Sequence, residues 1–271
     1  MRNQFKILFI GDIVGKSGRK AAKQYLTDNK EKYNFIIANV ENASHGFGLT
    51  KKNHDELLSY GINCFTSGNH IWDKKEIYNY ISEADKLLRP INYPSDTLGT
   101  GSRIFEVNGE KIGVINVLGR VFMQPVDSPW QILKEEIENI KKTTSNIIID
   151  FHAEATAEKL CLARYLSELG VSALIGTHTH VQTADETIIN GMAYITDAGF
   201  CGSADSIIGM DYQTSLKRLS TLLPERYEIA DTYPAQINAV EISIIDGKAT
   251  EIKRIFVMRE KELEVNVEND G

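Results

Sequence analysis

The hydrophobic pattern of this chain alternates between two periods. Short apolar runs rich in isoleucine and other β-branched residues occupy residues 6–11, 34–40, 62–68, 146–151 and 171–175. Runs of that length and content predict strands buried on both faces, as in a parallel sheet. Between them, apolar residues recur three and four apart, which predicts helices. Residues 15–32 put Ala21, Ala22, Tyr25 and Leu26 on one face, with lysines opposite. Residues 50–60 form a second predicted helix with Thr50 as its N-cap. A third spans residues 73–83, with Asp73 in the cap position and Ile77, Tyr80 and Ile81 inward. Residues 130–142 carry Ile132, Leu133, Ile137 and Ile140 on one stripe, and residues 156–169 end against Gly170 as a C-terminal cap.

A second signal is superimposed on the first. Asn108-Gly109 joins residues 102–107 to 111–117, and Asp246-Gly247 joins 237–245 to 249–257, each the sequence of a tight hairpin turn. A short strand at 192–196, an irregular glycine-rich loop at 198–211 and a short helix at 214–223 fill the interval. Parallel units combined with antiparallel hairpins predict mixed sheets. Two hairpins do not fit one parallel sheet, so a second layer is needed. The expected fold is α/β, a four-layer α-β-β-α sandwich of two mixed sheets flanked by helices. No linker or internal repeat divides the chain, so residues 1–271 are expected to form a single domain, with an acidic tail after 259 that frays.

Composition narrows the function classes. With 42% hydrophobic and 25% charged residues over 271 positions, the chain has the make-up of an ordinary globular protein. A formal net charge of -7 argues against stable nucleic-acid binding, which needs a basic face to displace counterions. It leaves a nucleotide substrate open, because a bound metal reverses the local field. Cys64, Cys161 and Cys201 are scattered, which excludes a disulfide framework and a thiolate metal site. The apolar stretch near the N-terminus is too short for a secretory or membrane-spanning segment, so a cytoplasmic location away from membranes is expected.

The candidate chemistry sits where the strands end. The five apolar runs lead directly into Asp12, Glu41-Asn42, Asn69-His70, His152 and His178-Thr179-His180. Sites in open α/β sheets form outside the carboxyl ends of the strands, so these donors are expected at one rim. Residues two apart in extended chain point to one side, which aims His178 and His180 at a common place. Four of the six histidines fall at these ends, which makes a chance scatter a poor explanation. Aspartate, glutamate, asparagine and histidine without thiolates suit Mn, Fe, Zn or Co. Eight donors exceed what one small ion needs, whereas two ions sharing a carboxylate would use them. Such a pair clamps a phosphoryl group and acidifies a shared water, so hydroxide can attack a phosphoester directly at neutral pH.

Taken in order, Gly11-Asp12, Gly68-Asn69-His70, His152 and Gly176-Thr177-His178-Thr179-His180 resemble the strand-end motifs of the calcineurin-like metallophosphoesterase superfamily. Glu41-Asn42-Ala43 with Gly46 and Gly48, Leu118-Gly119-Arg120-Val121-Phe122-Met123 and Thr196-Asp197-Ala198-Gly199 resemble its YmdB-like bacterial phosphodiesterase branch, along nearly the whole chain. The resemblance implies that Asp12, Glu41, Asn42 and His180 hold one metal ion. It implies that Glu41, Asn69, His152 and His178 hold a second, with Glu41 bridging, and that His70 is the catalytic residue at the leaving oxygen. The chain departs from the wider superfamily in two places. The usual Asp-x-His is Asp12-Ile13-Val14, one histidine short, and the usual bridging aspartate is Glu41; Asn42 fills the vacancy in the YmdB-like manner. The implied activity is metal-dependent hydrolysis of small phosphodiesters, cyclic nucleotides such as 2′,3′-cyclic AMP among them. The implied cofactors are two divalent or trivalent transition-metal ions, iron or manganese ahead of zinc. A phosphomonoesterase with the same dinuclear site and a non-catalytic metal- or nucleotide-binding regulator are the alternatives; His70, which metal binding does not require, favours catalysis. A homo-oligomer is left open.

Weaker signals complete the reading. Gly11 to Ser17 imitates a phosphate-binding loop but has three residues between Gly11 and Gly15 where that motif needs four, and Lys16 and Arg19 are assigned to an ordinary helix start, with a place facing the substrate phosphate as the alternative. Arg120, Phe122 and His45 are candidate substrate contacts, with Phe122 in the core and His45 in an exposed loop as the plainer assignments. Asp150 is a candidate partner that orients a ligand, with an ordinary polar residue at a strand end as the equal alternative. His54 is assigned to the surface, Asp73 to a helix cap, Asp185 to the surface, and Asp197 and Asp205 to loop shaping.

Overall fold

The computed structural model of the chain describes residues 4–260; the acidic tail at 261–271 lies outside them. β1 (Phe5–Ile10) is central to the first sheet. Its alternate side chains face opposite ways, and both sides are apolar. Ile7 and Phe9 enter a layer between two sheets, while Leu8 and Ile10 enter a layer beneath helices. β3 (Phe35–Asn39) and β4 (Cys64–Thr66) extend the sheet in parallel. The crossovers contain α1 (Gly15–Asn29) and α2 (Lys51–Ser59), and Thr50 caps α2 by accepting from the amide of Asn53, as predicted. β12 (Ala235–Ile245) lies antiparallel on the other side of β1 and pairs in turn with β13 (Lys248–Arg259). At the far edge, β2 (Asp12–Ile13) pairs with β11 (Phe200–Ser203), which joins β12.

The second sheet has six strands. β6 (Glu110–Leu118), β7 (Ile147–His152), β8 (Ala173–Thr177) and β10 (Met192–Ile195) run parallel. β5 (Ser102–Val107) and β9 (Thr187–Ile189) close its edges antiparallel. Val114, Ile148, Ile175 and Ile195 meet Ile7, Phe9 and Ile37 of the first sheet. On the outer face, Ile149, Phe151 and Leu174 pack with Leu133 and Ile137 of α3 (Pro129–Lys141) and with Leu162 and Leu166 of α4 (Thr156–Glu168). Three apolar layers thus separate four layers of secondary structure, the predicted α-β-β-α order. Each large side chain sealed in them contributes about 1.5–3 kcal/mol of burial. Both predicted hairpin turns form with positive φ at each central residue, 54° and 81° at Asn108-Gly109 and 51° and 78° at Asp246-Gly247.

Several expectations are corrected. Residues 73–83 hold only a short 3₁₀ turn, Lys75–Asn79, and Asp73 caps nothing, although Ile77, Tyr80 and Ile81 are buried as predicted. The expected loop at 198–211 contains β11, whose partner β2 is far away in sequence and gives no local signal. His54 is not a surface residue: it is 4% exposed, with its ring against Phe65 and Tyr80. No helix among the described residues is long and apolar enough to cross a membrane.

Candidate active site

The ends of β1, β3, β4, β7 and β8 open onto one rim, and the polar residues that follow them converge there. Glu41, His152 and His178 each offer a ligand atom within 4.8 Å of the others. His152 Nε2 is 2.9 Å from Glu41 Oε1, and His178 Nδ1 is 3.0 Å from His152 Nε2. Asp12 Oδ1 faces His180 Nε2 at 3.7 Å and His152 Nδ1 at 3.9 Å, too far for hydrogen bonds. Asn42 lines the same cleft as Glu41 and His180, and the amide of His70, next to Asn69, donates to Glu41 Oε2 at 2.8 Å. Gly68 lets the chain pass this close. A Cβ there would lie 2.3 Å from His152 Cδ2 and 2.5 Å from Glu41 Oε2, so any side chain would displace both.

Each imidazole is aimed by a partner outside the cluster. Thr177 donates its hydroxyl to Asp150 at 2.7 Å and accepts from His152 Nδ1 at 2.9 Å, which aims His152 Nε2 at Glu41 and would leave that nitrogen free to bind a metal ion once the ring is neutral. Asp150 therefore reaches the His152 ring through Thr177. His180 donates from Nδ1 to the carbonyl of Ile208 at 2.8 Å, and His178 Nε2 faces Glu154 at 3.2 Å. Both residues have positive φ, 103° at His178 and 63° at His180, so the loop is held in a conformation most side chains avoid. Asp197 clamps it by accepting from the amide of Thr179 between them at 3.0 Å.

The electrostatics favour a cation. Burial raises the Asp12 carboxyl, but the facing His180 and His152 outweigh it and bring its pKa down to about 2. Burial lowers His152, yet Glu41 and Asp12 drive it up to about 9. Burial and the charge of His152 push His178 down to about 3. The cluster thus concentrates negative potential on His152 and stabilises positive charge there. A metal ion fits the donor set on a separate ground. Asp12 Oδ1, Asn42 Oδ1 and Asn69 Oδ1 are buried without any hydrogen-bond partner. An unpaired buried polar atom is costly, and three at one rim offer the hard oxygen donors that a cation needs.

His70 stands at the side of this cluster. Its Nδ1 donates to Asp73 Oδ2 at 2.8 Å, and its ring lies against Phe47 with centroids 4.7 Å apart. The carboxylate assigned to a helix cap is therefore the partner of His70. The cleft in front encloses about 400 Å³, and its far wall comes from residues 207–227. Three weaker candidates are not among the residues that line it. Arg120 is exposed, its amide bound to Glu158; His45 is exposed at a turn; neither lines the cleft. Phe122 is 88% exposed, which overturns its assignment to the core. Glu154, Thr177 and the Ile208 carbonyl are functional groups that the sequence pattern does not single out. Thr177 sits inside the glycine–histidine motif and Glu154 two residues past His152, which is the signal that could have found them.

Comparison with known proteins finds relatives along nearly the whole chain. A family model described as YmdB-like protein matches residues 8–255. The chain is 47% identical to a 2′,3′-cyclic-nucleotide 2′-phosphodiesterase of Bacillus subtilis over 93% of its own length and 97% of that protein. Among solved structures, a hypothetical protein from Thermus thermophilus superposes with a TM-score of 0.89 at 37% identity, covering 94% of this chain and 100% of that one. A novel phosphatase from Mycoplasma pneumoniae does so with a TM-score of 0.89 at 35% identity, covering 96% of each chain.

Proposed function

The chain belongs to the YmdB-like protein family, and from that premise we propose that it is a metal-dependent phosphodiesterase of small phosphodiesters, with 2′,3′-cyclic nucleotides such as 2′,3′-cyclic AMP as its substrate class. The observation that carries this reading is the set of three orphaned oxygens, on Asp12, Asn42 and Asn69, delivered by three different strand ends to one rim. Asp12, Glu41, Asn42 and His180 would hold one ion. Glu41, Asn69, His152 and His178 would hold a second, with Glu41 shared. Iron or manganese suits these donors best, and zinc fits them too. Bound metal ions would supply Lewis acidity toward the phosphoryl oxygens and toward the attacking water.

The chain's own residues do the rest. Asp73 fixes the His70 ring through Nδ1, leaving Nε2 to hand a proton to the departing ribose oxygen. The amide of His70 donates to Glu41, so the acid is tied to the shared carboxylate. Thr177, Glu154 and the Ile208 carbonyl hold three imidazoles in the tautomers that leave a ring nitrogen toward the cluster. Rupture of the bond from phosphorus to O2′ gives a nucleoside 3′-phosphate. The test is turnover of 2′,3′-cyclic AMP by protein stripped with chelator and reloaded with Mn or Fe. Metal-dependent accumulation of 3′-AMP supports the reading. Adenosine as the final product adds a phosphomonoesterase step after the diester is opened, hydrolysis of 3′-AMP without any of the cyclic substrate points to a phosphomonoesterase instead, and equal turnover by the stripped protein contradicts metal dependence.

A further inference from the structure

Five pairs of consecutive residues turn with positive φ at both positions: His45-Gly46, Asn108-Gly109, Asn190-Gly191, Ile208-Gly209 and Asp246-Gly247. Four begin with histidine, asparagine or aspartate, the side chains that tolerate this backbone best. The fourth in chain order begins with isoleucine. Ile208 has φ 49° and is the one β-branched residue in the left-handed region among the described residues. Strain of this kind persists only where the surrounding structure holds it, and it clusters at active sites and ligand clamps.

Burial does not explain it, because Ile208 is 47% exposed. The turn itself is regular, with Ile207 and Met210 exchanging backbone hydrogen bonds at 2.8 and 2.9 Å. The Ile208 carbonyl orients His180, but a carbonyl comes with any residue. What isoleucine alone supplies is its side chain, and that side chain lines the cleft. Beside it stand Ile207, Met210, Leu219 and Tyr227, with Phe47 next to His70. An apolar wall therefore rises directly from a floor of Glu41, Asn42, His178 and His180. The Arg218 guanidinium lies 4.5 Å from the centroid of the Tyr227 ring, which braces that ring.

We propose that Ile208, Leu219 and Tyr227 form the subsite for the nucleobase, with Ile208 as a specificity-determining residue; this rests on the phosphodiesterase reading above. Phosphate on the floor leaves the base against the wall, where apolar and aromatic contact recognises a planar ring without reading its edge. The subsite therefore favours substrates that carry a base over those that lack one.

The test compares kcat/KM for 2′,3′-cyclic AMP with that for its base-free analogue, 1-O-methylribose 2′,3′-cyclic phosphate. In the metal-loaded wild-type protein the nucleotide is preferred at least about tenfold. In Ile208→Asn that preference falls about tenfold, carried by KM, while the melting temperature holds or rises because asparagine suits the turn. Leu219→Ala, on an exposed helix position, lowers the preference about threefold to fivefold. Parallel loss on both substrates, or an unchanged preference in both variants, overturns the subsite. Equal use of the two substrates by wild-type protein overturns the subsite alone. Failure of the wild-type protein to cleave either substrate overturns the phosphodiesterase reading and the subsite with it.

Discussion

Lys159 Nζ lies 2.9 Å from Asp197 Oδ2, and the two side chains are 1% and 0% exposed. The pair sits under the loop that carries His178 and His180. Lys159 also donates to the carbonyl of Thr177 at 2.8 Å, and Asp197 receives the amides of Thr179 and Gly199 at 3.0 and 2.9 Å. Both partners thus make hydrogen bonds beyond the pair, which is the condition for a buried ion pair to be tolerated.

Removing one member strands the other. Lys159→Met is expected to lower stability by about 3–5 kcal/mol in urea unfolding of the chelator-treated protein. The double variant Lys159→Met/Asp197→Asn should recover part of that loss. A single variant as stable as the parent would show that the pair holds nothing.

For His70 the expectation is kinetic. His70→Ala should reduce kcat on 2′,3′-cyclic AMP by about 10²–10⁴-fold with metal content unchanged, since a positioned general acid contributes that much. Asp73→Ala keeps the ring and removes its anchor, and should cost about tenfold or more. Elemental analysis beside single-turnover kinetics checks both. Full turnover by His70→Ala would remove the residue from the mechanism.

His54 predicts a pH effect on folding away from the site. Burial lowers its pKa below the ordinary value, against the opposing pull of Asp55. Below about pH 6.5 the unfolded chain takes up a proton that the native chain refuses, so stability rises with pH through this window and acid erodes it. Its Nε2 is also buried without a partner. His54→Phe keeps the ring against Phe65 and Tyr80, so its unfolding midpoint in chelator should fall less steeply between about pH 7 and 5.5. Parallel slopes for the two proteins would assign the acid sensitivity to other groups.

The strand ends are legible in the order of residues alone, because a buried strand writes itself as an unbroken apolar run and the donors follow it directly. The alternation of Ile7 and Phe9 with Leu8 and Ile10 even anticipates the two apolar layers. What the pattern conceals depends on distant contacts. Asp73 looks like a helix cap because aspartate before an apolar periodic stretch usually is one; its role appears only when the turn brings it to His70. His54 sits among polar neighbours in the chain, and its burial is set by Phe65 and Tyr80 from other elements. The strain at Ile208 has no signature in composition, since isoleucine before glycine is an ordinary pair until its φ is known.

Counting the metal ions tests the central claim most directly. Anomalous diffraction above and below the Mn and Fe edges, on crystals of the metal-loaded protein, should give two peaks per chain. One should lie against Asp12, Asn42 and His180 and the other against Asn69, His152 and His178, with Glu41 between them. A single peak, or none touching Asp12 and His180, would contradict the two-ion site and the hydrolysis built on it.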